Sequence, residues 1–179
     1  EEFLKAVANT LAGVIERRNM EEQIRKSKEF IEIVFDSMHD AITVIDTHDF
    51  KIIDANEVFL ALMGRKKEEV IGKTCYEIPH KRQQPCAPPD DICPVSDTLK
   101  TKGPSTVEHI HYTQGGKKIY VEITVSPITN GKGEVIQVVH ASRDITTRKK
   151  AEEELKITYE KLKTTEAQLI QSAKMAGVG

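Results

Sequence analysis

The hydrophobic period of this chain changes twice, and that change constrains the fold more than any single residue. Near the amino-terminal end, apolar residues step by 3 and 4: Leu4, Val7, Leu11 and Val14, then Met20, Ile24, Ile31, Val34 and Met38, with Ser27 filling the gap. That spacing lines one stripe of a helix and predicts helix over residues 3–37. The phase slips between Val14 and Met20, as it does where a coiled coil unwinds locally or two helical units join. Glu21–Arg25 and Glu22–Lys26 add i,i+4 pairs in the favourable order.

The middle of the chain reads differently. Residues 41–46 and 50–54 are β-rich runs around a polar turn, Thr47-His48-Asp49. Asn56 is suited to cap a short helix carrying Val58, Phe59, Leu62 and Met63, with Gly64 to end it. Further strands are expected at 105–113, 118–126 and 134–143, with Gly115-Gly116 and Asn130-Gly131 as turns. In the second of these, Ile119, Val121, Ile123 and Val125 alternate onto one face. Two strands, short helices and three strands make an α+β pattern around one antiparallel sheet.

The helical period returns over residues 147–176, where Ala151, Leu155, Thr158, Leu162, Thr165, Leu169, Ser172 and Ala176 step by 4 and 3. Small and polar residues weaken this seam. A stripe so narrow gives a lone helix nothing to bury, so a dimeric coil is expected.

Charge and cysteine usage exclude several function classes. The net charge of −2 offers no basic field for nucleic acid. No run of 18 apolar residues is present to span a membrane, and no signal-peptide pattern opens the chain. Three cysteines, an odd number without an export signal, fit a reducing cytoplasmic setting with thiols or metal ligands rather than a disulfide framework. The chain lacks an initiator Met and stops on Ala176-Gly177-Val178-Gly179, in mid-pattern, so it reads as a segment of a longer protein.

The densest chemistry lies between positions 75 and 93. All three cysteines fall there, and His80 lies among them, in the spacing Cys75-x4-His80-x5-Cys86-x6-Cys93. The stretch 81–91 is proline-rich, has little apolar content and cannot pack on itself. A metal would tie it down, since thiolates and imidazole close a tetrahedral shell around Zn²⁺. The spacing is not that of a standard zinc finger. Zn²⁺ leads among metals, an iron–sulfur cluster is second because most use four cysteines, and a metal-free redox thiol cluster or incidental cysteines remain alternatives. His109 and His111 alternate with Val107, which places them at a solvent-exposed or pocket-edge position rather than in a ligand set. No Cys-x-x-Cys-His is present for covalent haem. No nucleophile triad or phosphate-binding loop appears.

Four stretches in order resemble the PAS family. Asp40-Ala41-Ile42-Thr43-Val44-Ile45-Asp46 is similar to its opening strand. Ile53-Asp54-Ala55-Asn56-Glu57-Val58-Phe59 is similar to its strand-to-helix turn. Leu62-Met63-Gly64 with Glu68-Glu69-Val70-Ile71-Gly72-Lys73 is similar to the next stretch. Arg143-Asp144-Ile145-Thr146, then Arg148-Lys149-Lys150-Ala151-Glu152, resembles the hand-over to an output helix. The resemblance implies a five-stranded antiparallel sheet in the order 2-1-5-4-3, with a generic apolar pocket of Ile42, Val44, Phe59, Leu62, Val121 and Ile123.

Both flanks extend the resemblance. Residues 3–20 look like the last helix of a GAF domain, and residues 169–179 like the helix leading into a histidine-kinase dimerisation domain. The organisation expected is a signalling helix at 1–28, a PAS domain at 29–147 with its Cys/Pro-rich insert at 75–94, and an output coiled-coil helix at 148–179. None of the six histidines lies in the final helix, and the ATP-binding motifs are absent, so this segment carries no catalytic residue for phosphoryl transfer. Haem b and flavin are both disfavoured. Residues 95–102 contain no histidine, and Cys75 lacks the Asn, Arg and Gln that accompany the photoreactive cysteine of flavin-binding relatives.

The function implied is sensory input and relay for a two-component histidine kinase. The partners implied are a second copy of the chain, a carboxy-terminal kinase domain and a response regulator. The alternative is a PAS dimerisation spacer without a ligand.

Overall fold

The computed structural model describes residues 1–87 and 92–177. In chain order the elements are helix α1 (Glu2–Ser37), strands β1 (Ala41–Asp46) and β2 (Ile52–Ala55), helices α2 (Glu57–Met63), α3 (Lys67–Val70) and α4 (Pro94–Thr101), strands β3 (Ser105–Tyr112), β4 (Lys118–Thr129) and β5 (Val135–Asp144), and helix α5 (Thr146–Ala176). The five strands form one sheet in the order β2-β1-β5-β4-β3, every neighbouring pair antiparallel. This is the sheet expected from the sequence. No described residue between 81 and 93 belongs to a strand.

Alternation builds the core. Ile119, Val121, Ile123 and Val125 of β4 point inward and are at most 2% exposed. They meet Ala41 and Ile45 of β1, Ile52 of β2 and Val138 of β5. Phe59, Leu60 and Met63 of α2, Val70 of α3 and Val95 of α4 cover this face. Helix α2 ends at Gly64, whose left-handed φ of 63° closes the helix onto the carbonyls of Leu60 and Ala61. A Cβ added there would lie 2.7 Å from Oε1 of Gln114, a side-chain end that can move aside, so it is the left-handed backbone that favours glycine.

Asn56 is fully buried and joins three elements. Its Oδ1 accepts from the Ile42 N–H of β1 at 2.9 Å and from the Phe59 N–H of α2 at 3.0 Å. Its Nδ2 donates to the Asp40 carbonyl at 3.0 Å and to the Phe35 carbonyl of α1 at 3.2 Å. The amide thus uses two donors and two acceptor sites at once.

The two ends of the domain are also tied. Arg143 of β5 makes a two-pronged ion pair with Asp40 at 3.0 and 2.8 Å. Beyond it, α5 leaves the sheet. Helix α5 buries none of its residues, and Leu155, Leu162 and Leu169 stand 70%, 58% and 65% exposed. Among the described residues, no helix is long and apolar enough to cross a membrane.

Asn56→Ala removes an N-cap and strands two buried N–H groups and two carbonyls. We expect a loss of about 3 kcal/mol in urea unfolding, more than a cap alone contributes. The m-value should stay unchanged, because the same surface unfolds.

Candidate ligand site

The chain leading into the proline-rich stretch returns to the sheet. After α3 the chain is held against β2: the Ile52 N–H donates to the Lys73 carbonyl at 2.8 Å, and the Cys75 N–H to the Phe50 carbonyl at 3.0 Å. Ile78 then buries in the core, and the Pro79 carbonyl accepts from the Tyr112 N–H of β3 at 2.8 Å. This contact lays the following residues along the edge strand β3. Cys86 turns inward between exposed Pro85 and Ala87 and packs against the core.

His109 and His111 are the inward residues of β3, 4% and 0% exposed, while Glu108 faces out between them and Val107. The expectation of a solvent-exposed or pocket-edge position is therefore corrected. As an edge strand β3 would expose both rings, but the segment around Pro79 and His80 covers them. The His80 ring sits edge-on to both, with centroids 5.2 Å from His109 and 4.6 Å from His111. The His140 ring of β5 lies 6.3 Å from that of His111.

This environment favours neutral imidazoles. Burial pushes His80 down to about 3, helped by the neighbouring His109, His140 and Arg82 and opposed by a hydrogen bond to the Ile110 backbone. Burial likewise lowers His140 to about 4 and His111 well below its ordinary value. Neutral imidazole is the form that binds metal.

Of the four residues expected to share a metal, the structure brings two together and adds one. Ligand atoms of His80, Cys86 and His109 lie within 4.8 Å of one another. Cys75 and Cys93 stand outside that group. Cys93 is the N-cap of α4, its Sγ accepting from the Ser96 N–H at 3.5 Å. Cys75 packs against the core, and burial, with the Cys93 and Cys86 charges adding to it, pushes its thiol strongly up. His109 was missed because its partners are 23 and 29 positions away; period-2 burial of the pair His109/His111 was the one available signal.

The residues of the apolar pocket divide. Phe59, Val121 and Ile123 lie in the core with Leu62 packed against it. Ile42 and Val44 take the alternate positions of β1 from the core residues Ala41 and Ile45.

Residues 39–147 match the PAS domain family. The methyl sulfide methyltransferase-associated sensor of Methanosarcina acetivorans is 26% identical over 179 residues, which cover 98% of this chain and 16% of that protein. A blue-light-activated histidine kinase of Brucella ovis is 26% identical over 98 residues, 55% of this chain and 19% of that protein. The chain thus spans less than a fifth of the length of either curated relative. Among solved structures, an RNA-binding light-oxygen-voltage receptor superposes with a TM-score of 0.63 at 22% identity, covering 74% of this chain and 37% of that one. The PAS domain of an HTR-like protein from Haloarcula marismortui gives 0.55 at 21% identity, covering 72% and 99%. At such identities the likeness shows the fold. Sheet order and sequence match point the same way, and this chain belongs to the PAS domain family.

Proposed function

We propose that this chain is the sensory input and relay module of a histidine kinase, in which the PAS domain reads a signal and α5 carries it to a following kinase domain. The continuity of sheet and helix carries this reading. Strand β5 ends at Asp144, α5 begins at Thr146, and the single residue between them, Ile145, is buried at 4% exposure. The Ile145 N–H donates to the Tyr120 carbonyl, and the Tyr120 N–H donates to Thr146 Oγ1, each at 2.9 Å. The Asp144 carboxylate accepts from the Thr146 N–H at 2.8 Å.

One turn further, Arg148 and Lys149 both pair with Glu108 of β3, and Arg148 also reaches Glu122 of β4 at 3.7 Å. A shift of β3 against β4 therefore acts directly on the first turn of α5. The names of the curated relatives, a sensor and a histidine kinase, support a sensory signalling role. In this reading α1 and α5 pair with those of a second copy as a parallel coil. The exposed Leu155, Leu162 and Leu169 support that pairing, since apolar side chains at that spacing gain by burial against a partner helix. The phosphorylated histidine and the kinase domain belong to the parent protein, and the response regulator is that protein's partner.

The test is to join the chain, in helical register, to a histidine-kinase catalytic core lacking its own sensor. A seven-residue insertion in α5 should preserve output, and a one- or four-residue insertion should change it, because only seven keeps the seam in phase. Insensitivity to phase would leave a passive spacer. In sedimentation the chain should be dimeric at tens of micromolar, and Leu162→Glu should shift it towards monomer. Glu108→Gln should leave global stability nearly unchanged, because the pairs are exposed, yet speed hydrogen exchange in the first turn of α5.

A further inference from the structure

We propose that His80, Cys86 and His109 bind a transition-metal ion of the Zn²⁺ class, and that this ion is the input that clamps the proline-rich loop onto β3. The second clause rests on the sensory reading above; the first does not. The three ligand atoms come from two segments, His80 and Cys86 from the loop after Pro79 and His109 from β3, and lie within 4.8 Å of one another. Ligands on a tetrahedral Zn²⁺ stand about 3.3–3.8 Å apart, so side-chain adjustment of about 1 Å lets all three reach one ion. Two imidazoles and one thiolate suit Zn²⁺ better than the hard cations Mg²⁺ and Ca²⁺. On binding, the Cys86 thiol releases its proton to solvent and a metal–sulfur bond replaces the S–H bond, with no change of oxidation state.

Two further observations point to a ligand here. His109 Nε2 lies 2.8 Å from the Ile92 carbonyl. A carbonyl only accepts, so Nε2 carries a proton, and Nδ1 is the ring nitrogen left to bind a metal. Metal-binding histidines are oriented in this way by backbone carbonyls. Beside this group, His111 is fully buried with no hydrogen bond at either ring nitrogen. Its ring centre lies 4.6 Å from that of His80. Two orphaned nitrogens at zero exposure are costly unless a partner arrives, and His111 beside His80 is a candidate fourth ligand.

The site is one residue from the output contact. His109 belongs to the metal group, and the preceding residue of β3, Glu108, faces the other way and holds Arg148 and Lys149 of α5. An ion pulling His109 towards the loop moves the strand that carries this clasp.

The experiment uses the whole chain, reduced and metal-free, titrated with Co²⁺ as an optical probe and with Zn²⁺ by calorimetry. Expected are one ion per chain, a thiolate-to-Co²⁺ charge-transfer band and tetrahedral visible bands that Zn²⁺ bleaches. Cys86→Ser, at a half-buried position, should keep the native circular dichroism, lose the charge-transfer band and weaken Zn²⁺ by at least about tenfold. Cys93→Ser preserves the cap of α4 and should keep the band. Binding absent in the wild type, or equal in Cys86→Ser, overturns the site. A band lost in Cys93→Ser overturns this ligand set. Zn²⁺ that binds without slowing hydrogen exchange at the start of α5 overturns the input role alone, while phase-insensitive kinase output with metal bound overturns the relay alone.

Discussion

The Asn56 side chain is the constraint on which the arrangement of this domain depends. A single buried amide meets the end of α1, the turn before β1, β1 itself and the first turn of α2. Each of these contacts is to a backbone group that no repeating ladder would satisfy, because each lies where one element ends and another begins. Burying such groups is tolerable only when they are paired. The amide therefore sets where α1 meets the sheet and how α2 enters the core, and the hydrophobic face of α2 can then cover β1 and β4.

The opposite end of the sheet is held by weaker means. The first turn of α5 combines a buried Ile145, two backbone bonds to Tyr120 and a set of exposed ion pairs to Glu108 and Glu122. Exposed pairs contribute little to stability and are screened by salt, so they can be rearranged at small cost. A buried attachment at Ile145 with an exposed clasp one turn later is the arrangement the proposed relay requires. The Asp40–Arg143 pair keeps the start of the domain beside this joint, so α1 and α5 leave from neighbouring points.

The interior beneath β3 departs from the rest of the core. A sheet face of Ile and Val gives way to His80, His109, His111 and His140, buried far enough that the charged forms of His80, His111 and His140 are suppressed. Imidazoles are poor core filler, because each carries two polar nitrogens that need partners. At His111 those partners are missing. Local conflict of this kind, within a fold that is otherwise consistent from period to packing, is the observation behind the proposed metal site.

Period and turn chemistry determined most of the architecture. The 3–4 spacing defined both long helices, alternation defined β4, and Asn56 and Gly64 bounded α2, because these signals act over a few residues and depend on backbone geometry alone. The signature around Asp144 and Thr146 likewise marked the hand-over to α5, where a local side-chain bond ends the strand. The candidate ligand group was only half legible. His80 and Cys86 stood out by clustering in sequence, and Cys75 and Cys93 appeared equivalent to them. Tertiary structure separated the four by sending Cys93 to a helix cap and Cys75 against the core, and by folding the chain after Pro79 across β3 so that His109 faced Cys86. Spacing along the chain cannot report which residues of a distant strand a loop will cover. That depends on where the sheet edge lies and which way its side chains point, and both are set only once β3 has paired with β4.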